Sequence, residues 1–207
     1  MARKRIGVTM RQVRVEQTDT TYDSLDTDWL PFLNDVLPDV VWVPVPNMGE
    51  AVVDWASDLG LSGVLLTGGD DWGTFPVRDQ TERALCEWAK AEQLPLLGVC
   101  RGMQVLNYVM GGKLPSVRNG ESEVDHVAAV HQLETPDGVL TVNSFHNGLL
   151  QEQDVAPLFL IWARSADGMV EAVRKHGGMM TGIMWHPERE STPMEHDMKL
   201  FKSIFGE

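Results

Sequence analysis

The chain has only two cysteines, Cys86 and Cys100, among its 207 residues. Two thiols build no disulfide framework, and so sparing a use fits a reducing cytoplasm. Long apolar runs are missing as well. Nothing approaches the ~18 residues of a transmembrane helix, so no membrane span is expected. After the basic start Arg3-Lys4-Arg5, only Ile6 to Met10 intervenes before Arg11. That is too short for the apolar core of a signal peptide and fits a first strand. Basic residues are few: 17 Lys and Arg stand against 30 Asp and Glu, a net charge of −13. Such a surface repels nucleic-acid backbones and anionic membranes, so neither is an expected partner. An anionic small substrate remains admissible, because a pocket can carry local arginines. The sequence also has no phosphate loop of the Gly-x-x-x-x-Gly-Lys type, no dinucleotide fingerprint and no Cys/His quartet.

What is present is enough for one core. With 43% hydrophobic residues, 207 residues are expected to form a single domain over 1–207. Apolar runs of strand length at Ile6–Met10, Val40–Pro44, Gly63–Leu66 and Leu96–Val99 alternate with segments of helical period. The helical stripes are Leu25 to Leu37, Ala51 to Leu59, Asp79 to Ala89 and Arg101 to Met110, and Asp19–Asp26 reads as a loop. This β-α alternation predicts an α/β fold with a doubly wound, mostly parallel, flavodoxin-like sheet and helices on both faces. Right-handed crossovers then bring the loops after the strands to one edge, with Gly68-Gly69 and Cys100 on it. Beyond Gly111-Gly112 the pattern becomes strand-rich, from Lys113–Pro115 to Met180–Trp185. These strands are expected to extend the sheet, partly antiparallel, before a last helix at Met194–Phe205.

Two motifs carry chemistry. Gly98-Val99-Cys100-Arg101-Gly102 is the cysteine form of a nucleophile elbow, a strand turning sharply into a helix. The glycines relieve clashes in the turn, and the helix start favours the thiolate at Cys100. The second motif ends an apolar strand at Trp185-His186-Pro187-Glu188. On an extended backbone His186 and Glu188 project to the same side, so Glu188 can orient His186 toward a thiol. Cys86 lies on an amphipathic helix and reads as packing. His126 and His131, five apart in a strand-rich region, lack the helical spacing of a metal pair, and no metal site is expected. Arg78 and Asp79 read as helix anchors rather than substrate contacts.

Gly98 to Gln104, the upstream Thr67-Gly68-Gly69-Asp70 and the downstream Trp185 to Glu188 resemble the class I glutamine amidotransferases. Cys100-Arg101-Gly102-Met103-Gln104 and Arg78-Asp79-x-Thr81-Glu82 resemble most the stand-alone γ-glutamyl hydrolase branch. The resemblance implies Cys100 as nucleophile, His186 as general base and acid, and Glu188 as its orienter. It further implies an oxyanion hole from the backbone N–H groups of Gly69 and Arg101. Gln104 and the loop holding Ser144, Phe145, His146 and Asn147 are then expected to hold the γ-glutamyl group. Here Asn147-Gly148 departs from the family's commoner Ser-x-His-x-Gln pattern. The implied reaction is hydrolysis of a γ-glutamyl amide through a thioester, without metal or organic cofactor. The Asn143–Asn147 loop and the Gly182–Glu190 run are similar to a small bacterial branch tied to capsule and surface-polysaccharide synthesis. In that branch the leaving group is a nucleotide-linked amidate. Two further readings stand beside it: a glutaminase subunit feeding ammonia to a partner synthetase, and a non-catalytic binding module. A homodimer is compatible with any of them.

Overall fold

Five short apolar segments line up in parallel at the centre of the structure, a computed structural model that describes residues 3–117, 126–177 and 179–206. In chain order the first elements are β1 (Arg5–Thr9), β2 (Arg11–Val15), β3 (Thr20–Ser24), α1 (Trp29–Val36), β4 (Val41–Val45), α2 (Val52–Asp58) and β5 (Val64–Leu66). They are followed by α3 (Pro76–Ala91), β6 (Leu96–Val99), α4 (Arg101–Val109), β7 (Ser116–Val117) and β8 (Val127–Thr135). The chain continues through β9 (Gly138–Phe145), β10 (Gly148–Leu149), β11 (Phe159–Ser165), β12 (Val170–Lys175), β13 (Met180–Ile183) and α5 (Glu195–Phe205).

The main sheet has the order β4-β1-β5-β6-β13-β12-β11-β8-β9. Its first five strands are parallel, and β12, β11, β8 and β9 extend it antiparallel, as the change of pattern after Gly112 implies. Alternation across the pleat sends Val64, Leu66 and Leu96 to one core with Val52, Leu85, Met103 and Leu106 of α2, α3 and α4. Leu65, Leu97 and Val99 go to the other core, against Trp29, Phe32, Leu33, Phe201 and Phe205 of α1 and α5. Burial on both faces is why the central strands read as continuous apolar runs rather than alternating ones. The fold is α/β, with a mostly parallel central sheet between helices.

Three local expectations need correction. The segment around Asp19–Asp26 is not a plain loop: Arg11–Val15 and Thr20–Ser24 pair as an antiparallel hairpin, with Val13 opposite Tyr22. Helix α3 begins at Pro76, three residues before Asp79, because proline suits the first helical turn, where its missing N–H is not needed. The pairing expected at Lys113–Pro115 falls at Ser116–Val117, opposite Gly148–Leu149. The sheet places the carboxyl ends of β5, β6 and β13 side by side. There the Thr67-Gly68-Gly69 loop, Cys100 and His186 meet.

Candidate active site

Cys100 occupies the turn between β6 and α4 with φ 53° and ψ −112°. That region is sparsely populated by non-glycine residues and costs about 1–3 kcal/mol, so surrounding contacts must hold it. They do. The Cys100 N–H donates to Ile183 O at 2.7 Å, and the Cys100 carbonyl accepts from Met103 N and Gln104 N at 3.0 and 3.2 Å. The flanking glycines are required by packing. A Cβ on Gly102 would lie 2.3 Å from Leu66 O, and one on Gly98 would lie 2.5 Å from the Gly102 carbonyl carbon. Helix α4 therefore starts hard against the ends of β5 and β6, with Cys100 at its N-terminus. The first helical N–H, that of Arg101, has no preceding turn to bond, as at any helix start.

His186 follows β13 and is 3% exposed. Asn143 of β9 clamps its backbone from both sides: Oδ1 accepts from His186 N and Nδ2 donates to His186 O, each at 2.8 Å. The resemblance placed Asn143 in the loop over the substrate; its bonds to the His186 backbone were not foreseen. His186 Nδ1 lies 2.6 Å from Glu188 Oε1. The route to that contact differs from the extended backbone expected from the motif. Pro187–Arg189 forms a short 3-10 turn, with proline at its first position, and the turn rather than strand alternation brings the carboxylate under the ring.

Burial by itself would push the His186 imidazolium down, but its hydrogen bonds and charge interactions with Cys100 and Glu188 outweigh it and hold the pKa at about 9. His186 is thus held cationic at neutral pH, with the Cys100 thiol and the Glu188 carboxylate both favouring the charged ring. If turnover needs that proton, kcat/KM should fall as pH rises through about 9, and Glu188→Gln should move the alkaline limb lower. A pH–rate profile checks this; an alkaline limb that Glu188→Gln leaves in place would contradict it. The sign for stability runs the same way. The contribution from His186 is full below its unfolded pKa of about 6.5 and is lost as pH rises through about 9.

Behind the glycine loop lies a buried cluster of four charges. Arg78 Nε is 3.0 Å from Glu82 Oε1, while Arg101 contacts Glu82 Oε2 and lies 2.6 Å from Asp79 Oδ1. Arg78 Nη2 donates to the carbonyls of Thr67 at 3.1 Å and Gly68 at 2.9 Å. Thr9 joins in, donating to Glu82 and accepting from Thr67 N. Gly69 sits at φ 144°, and a Cβ there would meet Arg78 Nη1 at 2.2 Å. Glycine is therefore needed for both the conformation and the close approach. Arg78 and Asp79 tie the glycine loop and Arg101 to α3 rather than cap that helix, whose start has no side-chain cap.

Cys100, His186, Glu188, Gly68 and Gly69 line a cleft of about 190 Å³. It is small beside the ~300–1,000 Å³ of pockets that enclose drug-sized ligands. Of the residues that the resemblance assigns to substrate, Phe145 borders the cleft, with its ring edge-on to His186 at 5.9 Å. Ser144, His146, Asn147 and Gln104 do not line it. The Ser144 hydroxyl donates to His126 O at 2.8 Å, His146 faces Glu171, and Asn147 is exposed. Gln104 is buried, one helical turn beyond Cys100. Two cationic residues unforeseen from sequence, Arg11 and Arg189, stand on the cleft wall. Arg11 pairs with Asp70 at 3.0 Å, and Arg189 stacks over Phe145 at 4.4 Å.

The elbow, the histidine and the glycine loop fall within residues 5–188, which match the family model described as Peptidase C26. The chain belongs to the Peptidase C26 family. Among relatives of this Peptidase C26 chain, Protein NtpR of Enterococcus hirae is 30% identical, covering 95% of each chain. The γ-glutamyl-CDP-amidate hydrolase of Campylobacter jejuni is 27% identical, covering 90% of each. A solved glutamine amidotransferase from Thermotoga maritima superposes with a TM-score of 0.64 at 17% identity, over 97% of this chain and 83% of that one. That likeness shows the fold, and the family makes this chain a glutamine amidotransferase-type hydrolase. Among the described residues, no helix is long and apolar enough to cross a membrane.

Proposed function

We propose that the chain, as one domain over 1–207, hydrolyses a γ-glutamyl amide through a γ-glutamyl thioester on Cys100. The observation that carries this is the strained elbow of Cys100, which shares a cleft with a His186 that Glu188 holds at 2.6 Å. The Cys100 sulfur attacks the γ-carbonyl carbon, and the developing oxyanion is received by the N–H groups of Gly69 and Arg101. His186 gives its proton to the leaving nitrogen as the C–N bond breaks. A water then enters, and His186 takes one of its protons as the oxygen attacks the thioester carbon. The C–S bond breaks, glutamate leaves, and Cys100 and His186 return to their starting states.

The leaving group is proposed to be bulky and anionic, of the nucleotide-linked amidate class. A cleft of about 190 Å³ suits a glutamyl group with the rest of the substrate outside it. Arg189 and Arg11 bring positive charge to a wall that Asp26 and Asp70 share, with Arg11 paired to Asp70. The relative from Campylobacter jejuni bears the name of such a hydrolase. Steady-state rates of the protein alone on glutamine, γ-glutamyl amines, γ-glutamyl amino acids and a nucleotide-linked γ-glutamyl amidate test the reading. The amidate should be cleaved much faster than glutamine, because contacts to the larger leaving group can be used in the transition state. Silence across the panel, with glutaminase activity appearing on addition of a synthetase, would favour the ammonia-supplying subunit instead.

A further inference from the structure

Beside the cleft, three imidazoles converge on one carboxylate. The His126 Nδ1 lies 3.2 Å from Glu171 Oε1, His146 Nε2 lies 3.4 Å from Glu171 Oε2, and His131 Nε2 lies 4.0 Å from the same oxygen. All four side chains are at most 7% exposed. Both Glu171 oxygens, His126 Nδ1, His146 Nε2 and both nitrogens of His131 are buried without a well-aligned hydrogen bond, their mutual contacts being at ion-pair distance. Buried polar atoms held this close without well-aligned hydrogen bonds call for an explanation.

The far nitrogens explain the arrangement. His146 Nδ1 lies 3.0 Å from Gly148 O, and a carbonyl only accepts, so Nδ1 carries the hydrogen. His126 Nε2 lies 3.2 Å from Asp167 Oδ2, which likewise calls for an N–H. In their neutral forms both rings then present a bare lone pair to the Glu171 carboxylate. A histidine donating outward to a carboxylate or carbonyl while offering its other nitrogen inward is the outer-shell pattern of a metal ligand.

The chain builds this cluster by a backbone device. Five residues apart on a regular strand, His126 and His131 would face opposite sides of the sheet. Ala128, at φ 51°, makes a bulge where the β8–β9 register shifts between Val127 and Ala129. The extra residue turns both histidines to one side. Candidate ligand atoms of His126, His131 and Glu171 all lie within 4.8 Å of one another. The edge of a tetrahedron with metal–ligand bonds of ~2.0–2.1 Å is ~3.4 Å, close to the two shorter contacts.

We propose that His126, His131, His146 and Glu171 bind a divalent transition-metal ion of the zinc class in a closed structural site. Three imidazoles and one carboxylate suit zinc, and four protein ligands leave no open position for chemistry. The site fastens the start of β8 and the end of β9 to β12. His126 O also accepts from Ser144 Oγ at 2.8 Å and His146 N at 2.9 Å, so the ion would fix the loop that carries Phe145 to the cleft. Asp167 is a positioning residue, acting through the His126 ring.

Protein stripped with a chelator is titrated with Zn²⁺ against a chromophoric chelator, and with Co²⁺ by visible absorption. One equivalent should bind, Co²⁺ should give the intense bands of a tetrahedral site, and Zn²⁺ should displace it. Glu171→Gln and His131→Ala should each weaken Zn²⁺ binding by more than ~100-fold, and Asp167→Asn by about 10–100-fold. Cys100→Ser should bind as wild type does, which separates this site from the sulfur in the cleft. The wild-type titration needs no variant to fold. Failure to bind one equivalent would overturn the proposal, as would binding lost in Cys100→Ser and kept in Glu171→Gln. Nitrogen NMR showing a doubly protonated His126 unaffected by Zn²⁺ would overturn it too, leaving an imidazolium–carboxylate pair.

Discussion

His186→Ala is expected to lower kcat/KM on the γ-glutamyl substrate by about 10²–10⁴-fold, the scale of a general acid–base group. His186 and Cys100 face one cleft, and with a pKa of about 9 the ring would hold the proton that the proposed mechanism gives to the leaving nitrogen. Glu188→Gln should retain more activity than His186→Ala. The amide can still accept from Nδ1, but it no longer favours the cationic ring. Asn143→Ala should fall between wild type and His186→Ala, because it removes both 2.8 Å hydrogen bonds that fix the His186 backbone and leaves the ring in place. Steady-state kinetics on folded variants decide the order. Equal and complete loss in His186→Ala and Glu188→Gln would make the carboxylate more than an orienter, and near-wild-type rates in His186→Ala would remove the assignment.

Glu82→Ala is expected to destabilise the fold by about 3–5 kcal/mol, the scale for removing one partner of a buried ion pair. Glu82 is fully buried between two guanidinium groups. Burial alone would raise its pKa, yet Arg101 and Arg78 hold it below the ordinary carboxylate value. Without it, Arg101 keeps Asp79, but Arg78 loses its one ion-pair partner in the cluster and retains only carbonyl and hydroxyl acceptors. Those acceptors are Thr67 and Gly68, which form the loop over Cys100, so activity should fall along with stability. Urea unfolding measures the first effect and turnover the second. A Glu82→Ala variant with wild-type stability would show that the cluster is not an energetic anchor.

Legibility from sequence tracked how local each feature is. The elbow is a five-residue matter: two glycines, a cysteine and a switch from strand to helix period. The packing that demands those glycines, with Gly102 against Leu66 O, follows directly from that turn. The central strands were equally plain, because burial on both faces leaves unbroken apolar runs. The β2–β3 hairpin was not, since most of its side chains are exposed on both faces and no periodic apolar signal survives. Asn143, 43 residues from His186, is a long-range partner that no spacing rule reaches. The histidine cluster hid behind a single bulge. At Ala128 the period slips by one, so the five-residue spacing of His126 and His131 pointed the wrong way. Arg11 and Arg189 carry no motif of their own and reach the cleft by tertiary placement.

The central claim is covalent chemistry at Cys100, and a single labelling measurement tests it. A γ-glutamyl electrophile such as a diazoketone analogue of glutamine is added to the intact protein, and the site is read by peptide mass spectrometry. The account predicts one adduct, on Cys100, at the elbow and in contact with His186. Cys86 should stay unlabelled: it is fully buried, and that burial, with Glu82 and Glu87 nearby, pushes its thiol pKa well up, away from the reactive thiolate. An adduct on Cys86, or a Cys100→Ser variant that turns over at the wild-type rate, would contradict it.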